Sequence, residues 1–150
     1  MLKASEIHPD VELRDHLQGN VEVGKPGGGT EPVVVYCEQD RPTTGMPNDF
    51  ISIVMNGNAS SLGANIDFAS GYVMVVLYCR MNDDGSVKSN RINKILAQFD
   101  EMLDGANTEN FFFRFENERF IMPTSPDQNS GYSSTILNLR WTTNINFSKS

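Results

Sequence analysis

The segment Tyr72–Met81 constrains the fold more than any other part of the chain, because nearly all of its residues are apolar. It reads Tyr-Val-Met-Val-Val-Leu-Tyr-Cys-Arg-Met, so apolar side chains fall on both faces of an extended segment. A strand of this kind lies in the centre of a sheet and is covered on both sides. We therefore predict a central strand here, with one side open to cover by a neighbouring subunit.

Two shorter apolar runs come before this strand and predict further strands. They are Val33–Cys37 and Phe50–Met55, and the residues 42–49 between them have the composition of a loop. The turn-forming sequence Asn56-Gly57-Asn58 is expected to end the second run. Upstream, the glycine-rich segment Gly24–Thr30 predicts a flexible connector without regular structure.

Two segments have the signals of helices. Residues 1–19 predict one short helix, since Pro9 suits a first helical turn and Gly19 suits a stop. A second helix is predicted to begin near Ser89 and to end at Asp104-Gly105. Its apolar residues form one stripe at helical spacing: Ile92, Ile95, Leu96, Phe99 and Leu103. Its polar residues are expected to face water: Arg91, Lys94, Gln98 and Glu101.

The last third of the chain predicts strands again. Phe111–Phe115 and Arg119–Met122 flank Glu116-Asn117-Glu118, which indicates a hairpin, and residues 123–131 are expected to form a loop. Residues 132–147 alternate as a half-buried strand does. Its apolar face is expected to contain Leu137, Leu139, Trp141 and Ile145, opposite Asn138, Arg140, Thr142 and Asn144.

The order of these elements predicts one α+β domain over residues 1–150, with a mainly antiparallel sheet packed by one amphipathic helix and a short N-terminal helix. Asn, Ser, Gly and Thr make up 48 of the 150 residues, which favours long loops over helices. No repeat and no second core is expected.

The net charge of −7, from 12 basic and 19 acidic residues, argues against a general nucleic-acid binder. No apolar run reaches the roughly 18 residues of a membrane span, and the N-terminus has no signal-peptide pattern. The expectation is a soluble, unexported protein. In such a protein Cys37 and Cys79 would stay reduced and act as small buried apolar residues, although neighbouring strands would be able to bring them together.

No motif predicts a catalytic, cofactor or metal site. The glycines at 27–29 follow Lys25 instead of preceding it, so they do not form a phosphate-binding loop. Asn82–Gly85 resembles part of a calcium loop, but arginines stand at both anchor positions, and a turn is the better interpretation. His8 and His16 lack the spacing of metal ligands.

Two groups of residues admit a functional alternative. The acidic groups Asp100/Glu101/Asp104 and Glu116/Glu118 would allow acid–base chemistry if buried together, but a helix surface and a hairpin tip explain them better. Phe111–Phe115 with Arg114 and Arg119 would allow base stacking, but Glu116 and Glu118 cancel the charge. For Phe111, Phe113 and Phe115, which share one strand face, we expect a place in the core or in a subunit contact.

The pattern of elements resembles the tail terminator, or tail completion (neck), proteins of long-tailed bacteriophages, particularly those of Bacteroidetes phages and prophages. The likeness is spread over most of the chain. In the first half of the chain it consists of a short N-terminal helix that ends Leu17-Gln18-Gly19-Asn20-Val21, of Arg41-Pro42, and of Asn48-Asp49-Phe50-Ile51 at the start of a strand. In the second half it consists of the strand Val73–Cys79, of Asp84-Gly85 before a helix with Arg91 and Ile92, and of the strand Gly131–Asn144. The glycines at 27–29 and the run Val33–Cys37 depart from the pattern.

The resemblance implies a virion structural protein without enzymatic activity, made in the host cytoplasm. Such a subunit assembles as a ring, commonly a hexamer, that caps the tail tube and joins it to the neck of the head. Its partners would be further copies of itself, the tail tube protein and a neck or head-completion protein. DNA would pass through the ring without specific binding, which the acidic charge suits. The alternatives are a monomeric accessory or adaptor protein of the virion and a small hydrolase that uses the carboxylates.

Overall fold

The computed structural model describes residues 8–61, 69–116 and 125–143. The helices are α1 (Pro9–Leu17) and α2 (Ser89–Met102). The strands are β1 (Glu22–Gly24), β2 (Thr30–Pro32), β3 (Val34–Cys37), β4 (Asp49–Ser61), β5 (Ala69–Arg80), β6 (Phe111–Phe115), β7 (Ser125–Asp127) and β8 (Tyr132–Thr143). The predicted α+β fold is confirmed.

The main sheet has the strand order β3-β4-β5-β8-β6, with β7 added beside β8. Strands β3 and β4 are parallel, and all the other pairs in this sheet are antiparallel. The apolar strand β5 lies in the middle, paired with β4 on one side and β8 on the other. The central position predicted for Tyr72–Met81 is therefore confirmed.

One face of this sheet, which we call the inner face, packs against α1 and α2. On β5 the inner residues Val73, Val75 and Leu77 are at most 1% exposed. From α2 the residues Ile92, Ile95 and Phe99 meet them as the predicted stripe, while Leu96 is only partly buried. Each of these fully buried side chains contributes about 1.5–3 kcal/mol through removal of apolar surface from water.

Helix α1 is shorter than the predicted helix at residues 1–19. It begins at Pro9 and ends at Leu17, and residues 1–7 lie outside the described part of the chain. Leu13 and Leu17 are fully buried, whereas Val11 of the predicted stripe is only partly buried. Glu12 joins the helix to the turn before β6, because its carboxylate accepts hydrogen bonds from the Thr108 hydroxyl at 2.7 Å and the Asn110 N–H at 3.0 Å.

The glycine-rich segment is not the unstructured connector that the sequence predicted. Strands β1 and β2 pair as an antiparallel hairpin, and the segment 25–29 forms its turn. The Lys25 N–H donates to the Gly29 carbonyl oxygen at 3.2 Å, and Gly27, Gly28 and Gly29 all have positive φ angles. Glycine supplies such angles without steric cost, so the same residues that suit a linker also close a tight turn.

Gln98 of α2 holds this hairpin in place. Its side-chain N–H donates to the Glu22 carbonyl oxygen at 2.7 Å, and its side-chain oxygen accepts from the Glu22 N–H at 2.8 Å. The prediction that Gln98 faces water is therefore wrong, as it is for Arg91, which pairs with Asp49. Lys94 and Glu101 are exposed as predicted.

Two strand boundaries differ from the predictions. Strand β4 continues through Asn56-Gly57-Asn58 to Ser61, with a register shift between Asn56 and Ser60, because backbone pairing with β5 continues where apolar side chains stop. Within the predicted loop 123–131, the short strand β7 pairs with β8. Both extensions depend on a neighbouring strand instead of on local composition.

The strands of the last third agree with the predicted pattern where the structure describes them. Phe111, Phe113 and Phe115 of β6 are buried on the inner face, and Phe112 points the opposite way. On β8 the inner residues Leu137, Leu139 and Trp141 are at most 1% exposed. The predicted second hairpin arm, Arg119–Met122, and residues 144–147 of the last strand lie outside the described residues.

Candidate functional site

The second face of the main sheet, which we call the outer face, carries the side chains that point away from α1 and α2. Several are apolar or aromatic, and none of the described helices covers them. The outward residues of the central strands include Phe50 and Val54 of β4, Tyr72, Met74, Val76 and Tyr78 of β5, and Ile136 of β8. The sequence predicted this two-faced apolar character, which makes the outer face the candidate functional surface.

One end of the outer face is closed by its own aromatic residues. The rings of Phe50 and Tyr78 stack with centroids 4.7 Å apart, and Tyr36 and Tyr132 approach Phe50 edge-on at 6.1 and 5.5 Å. Phe50 is consequently only 3% exposed. Such offset and edge-to-face pairs are favourable beyond the area they bury.

Arg41 lies over this aromatic cluster. Its guanidinium carbon is 5.3 Å from the Tyr78 ring centroid and 5.8 Å from that of Phe50, within range of a cation–π contact. Glu38, in a single 3-10 turn at Glu38–Asp40, forms an ion pair with Arg41 at 2.9 Å and accepts a hydrogen bond from the Ser52 hydroxyl. The charged and polar groups at the closed end therefore have their partners within the chain.

The other end of the outer face, which we call the open end, consists of Tyr72, Phe112, Arg114 and Arg140. Tyr72 and Phe112 are the exposed large apolar residues of the described chain, at 44% and 36%. Arg114 of β6 lies directly opposite Arg140 of β8, and Tyr72 of β5 lies opposite Arg140 on its other side. Three adjacent strands thus place an aromatic ring and two guanidinium groups in one row.

The two arginines have no acidic partner among the described residues, whose ion pairs involve Arg14, Arg41 and Arg91. The Arg140 Nε is shielded from solvent and has no hydrogen-bond partner among the described residues. Like charges directly opposite each other on neighbouring strands destabilise a sheet, and a buried donor without an acceptor adds a further cost. A guanidinium pair of this kind is suited to bind carboxylate or phosphate oxygens.

A cavity of about 690 Å³ lies on the other side of the molecule, between the β1–β2 hairpin and the start of α2. Its lining includes Lys25, Glu31, Lys88 and the pair formed by Asp49 and Arg91. Arg91 donates to both carboxylate oxygens of Asp49, with the shortest distance 2.6 Å, and Asp49 is 8% exposed. The hydrogen bond that Arg91 donates to the Asp49 side chain raises the pKa of Arg91. This arginine is engaged in joining α2 to β4.

The cysteines occupy positions that fit the predicted role of small buried residues. Cys37 and Cys79 are free and at most 1% exposed. They lie on β3 and β5, which are separated by β4, so their Cα atoms are about 10 Å apart or more at the usual strand spacing. That separation exceeds the reach of a disulfide. Burial raises the pKa of Cys37 to about 11 and that of Cys79 to about 12.

Among the described residues, the structure does not gather the histidines or the predicted carboxylates into a site. His16 Nε2 lies 3.1 Å from the Met102 carbonyl oxygen, and within the described residues no group of three or more His, Cys, Asp or Glu is placed to hold a metal ion. Asp100, Glu101 and Asp104 are exposed on and after α2, and Glu116 is partly buried, whereas Glu118 and Arg119 lie outside the described residues. These positions give the hydrolase alternative no support.

The segment Asn82–Gly85 forms the predicted turn beyond the end of β5. Asp84 accepts hydrogen bonds from the Ser86 hydroxyl at 2.6 Å and the Ser86 N–H at 2.9 Å, and these bonds lower the pKa of Asp84. Asp127 ends β7 just before the neighbouring turn, and a hydrogen bond from the Ser130 side chain chiefly lowers its pKa. Both carboxylates are therefore ionised well below neutral pH.

Sequence reasoning did not single out Arg140 or join Arg114 to it. The alternation over residues 132–147 placed Arg140 on the polar face, and the alternation in Phe111–Phe115 placed Arg114 opposite the core. Their juxtaposition depends on β6 pairing with β8, in the register Arg114 to Arg140. No local signal in the sequence indicates that register.

Comparison with known proteins shows the fold and no more. No protein-family model matches the chain, and no curated protein matches its sequence. A solved structure of a protein whose name states no activity superposes with a TM-score of 0.53 at 8% sequence identity, over 76% of this chain and 81% of its own. No helix in the described part of the chain is long and apolar enough to cross a membrane.

Proposed function

We propose that this chain is a structural subunit of a bacteriophage virion, of the tail terminator or tail completion class. In this role it assembles as a ring, commonly a hexamer, that caps the tail tube and joins it to the neck of the head. It is made in the host cytoplasm and acts in the virion by binding geometry, without bond chemistry. The resemblance of its element order to that class and its α+β fold support the proposal.

The observation that carries the proposal is the open end of the outer face. Tyr, Phe and Arg are enriched in protein interfaces, and Tyr and Arg dominate their binding energy. Here Tyr72 and Phe112 are exposed and Arg114 and Arg140 lack acidic partners among the described residues, although the closed end of the same face is covered. A surface left incomplete at one end suits a subunit that is completed by a neighbour.

A ring needs heterologous contacts, in which one surface of a subunit binds a different surface of the next. The open end of the outer face and the turn after β5 supply two different surfaces, which lie at opposite ends of the sheet. The net charge of −7 suits a channel through which DNA passes without adhering. A pore lined with Lys or Arg in an assembled ring would contradict that part of the proposal.

The direct test is electron microscopy and native mass spectrometry of the full-length protein, alone and with polymerised tail tubes of its own phage. The expected result is rings, free or at tube ends, and an arrest of tube elongation. The matched variants are Tyr72→Ala with Phe112→Ala, which should lose the rings, and Lys94→Ala with Glu101→Ala, which should keep them. A protein that forms no ring and does not bind tube ends would refute the proposal.

Two other outcomes would assign a different role. A protein that stays monomeric but binds a neck or head protein would be an accessory or adaptor protein of the virion. A hydrolytic activity that is lost on substitution of Asp100, Glu101 or Asp104 would make the chain an enzyme.

A further inference from the structure

The two arginines of the open end are positioned to receive a pair of carboxylates. Arg114 and Arg140 face each other across β6 and β8, so their Cβ atoms are about 4.5–5.5 Å apart. A planar guanidinium group is shaped to bind both oxygens of a carboxylate, and Arg114 is exposed to receive one. A carboxylate bound there would reduce the repulsion between the two cations.

Exposed carboxylates lie at the opposite end of the same sheet. Asp83 and Asp84 form the turn after β5, and both are exposed. The Gly85 carbonyl oxygen of this turn accepts a hydrogen bond from Gln128, which connects it to the turn that follows Asp127. Along β5, Arg80 at this end is eight residues from Tyr72 at the open end, about 27 Å in an extended strand.

We infer that the Arg114–Arg140 pair of one copy binds the Asp83–Asp84 turn of a second copy, in a head-to-tail contact between opposite ends of their sheets. The inference rests on the proposed assembly and names the contact within it. Because the two surfaces are different and lie at opposite ends of the sheet, one copy of a bound pair retains a free acidic turn and the other a free arginine pair, each available to a further copy. Such a contact closes into a ring when the rotation between copies allows it.

Charge complementarity favours a second copy as the occupant over nucleic acid. The chain has seven more acidic than basic residues, so a long anionic polymer would be repelled by most of its surface. A short acidic turn reaches the two arginines without that general repulsion. Tyr72 and Phe112 beside the arginines supply apolar contact area for the backbone of the turn.

Charge reversal tests the contact. Arg114→Glu with Arg140→Glu, and separately Asp83→Lys with Asp84→Lys, should each weaken self-association of the full-length protein by about tenfold or more in analytical ultracentrifugation. The chain that carries all four reversals should regain association. Matched controls reverse the same number of charges elsewhere, Lys25→Glu with Lys94→Glu and Glu101→Lys with Glu109→Lys, and should leave it unchanged.

Mixing the two double variants gives an independent readout. The arginine pair of one variant binds the acidic turn of the other, and the reversed charges complement each other in the same way, so an equimolar mixture should regain the association that each variant lacks alone. Far-ultraviolet circular dichroism checks that each variant is folded. Where Arg140→Glu affects folding, Arg114→Glu alone tests the same contact, because Arg114 is exposed.

The outcomes separate this inference from the proposed function. Rings that persist unchanged in both double variants would overturn the inference and leave the terminator proposal standing. A wild-type protein that shows no association, and variants that do not associate on mixing, would overturn the inference whatever the protein does at tube ends. Binding of a fluorescent DNA duplex that Arg114→Glu with Arg140→Glu abolishes would also overturn it, in favour of a phosphate ligand.

Discussion

The contact between Gly71 and Trp141 gives a quantitative prediction about the packing of the core. Trp141 is fully buried, and Gly71 lies directly opposite it on β5. A Cβ atom added at Gly71 would lie 2.7 Å from Cζ2 and 2.8 Å from Nε1 of the indole. Real Cβ atoms do not approach that closely, so Gly71→Ala must displace a ring that is surrounded by packed side chains, among them Phe111 at 5.4 Å between centroids.

Overpacking of this kind costs about 1–3 kcal/mol of unfolding free energy. For a domain of this size we expect the midpoint of thermal unfolding to fall by roughly 2–12 °C, because each kcal/mol corresponds to about 2–4 °C. Circular dichroism during heating measures the shift. Gly24→Ala is the matched control, since its Cβ would meet nothing within 4 Å, and we expect a change within about 0.5 kcal/mol.

A second substitution tests the stated cause. The nearest of the clashing atoms, Cζ2, belongs to the six-membered ring of the indole, which Phe lacks, so the smaller side chain of Trp141→Phe should leave more room for the added methyl group. Trp141→Phe also removes the buried Nε1–H, which has no hydrogen-bond partner, and this offsets part of the cavity cost. The double variant should therefore be more stable than the two single effects predict, by about 1 kcal/mol or more. A neutral Gly71→Ala, or strictly additive effects, would refute the reasoning.

Three further predictions concern the links between elements. Asp49→Asn should lower the free energy of unfolding by about 1–2 kcal/mol, because it weakens a bidentate pair whose other member, Arg91, is partly exposed; an unchanged urea midpoint would contradict this. Cys37 and Cys79 should resist iodoacetamide at pH 8 in the folded protein and react after unfolding. Since burial raises their pKa values from 9.0 to about 11 and about 12, their contribution to stability is fully present below pH 9 and is lost as the pH rises through the folded values. Glu12→Ala should lower the free energy of unfolding by about 1–2 kcal/mol and speed amide hydrogen exchange in the turn before β6, because the Glu12 carboxylate accepts hydrogen bonds from an N–H and a hydroxyl group of that turn. Unaltered exchange in that turn would contradict this prediction.

The elements with strong apolar periodicity were predictable because periodicity records which face of an element is buried. The stripe of α2 identified Ile92, Ile95, Phe99 and Leu103 as buried, although Leu96 is only partly so, and the alternation of β8 identified Leu137, Leu139 and Trp141. The two-faced pattern of β5 identified the central strand for the same reason. The spacing of apolar residues within a single segment indicates its buried face, so this face can be predicted without knowing which segments pack against it.

The glycine turn and the polar side of α2 were not predictable in the same way. Glycines at 27–29 allow both a flexible linker and a turn with positive φ angles. The hydrogen bonds between Gln98 and the Glu22 backbone favour the hairpin, because they hold its first strand against α2. Arg91 and Gln98 occupy positions that water would also satisfy in an isolated helix. Their roles depend on which segments fold against α2, and that information lies in long-range contacts.

The two ends of the outer face differ in whether their arginines have acidic partners. At the closed end, the chain uses its own Arg41 to cover Phe50 and its own Glu38 to neutralise Arg41. At the open end, Arg114 and Arg140 repeat the cationic half of that arrangement without an acidic half among the described residues. Among the described residues, the same chemistry is therefore completed at one end of the face only. The exposed carboxylates of the turn after β5 lie beyond the closed end, so the sheet has a direction, and the proposed head-to-tail assembly would bring its two ends together.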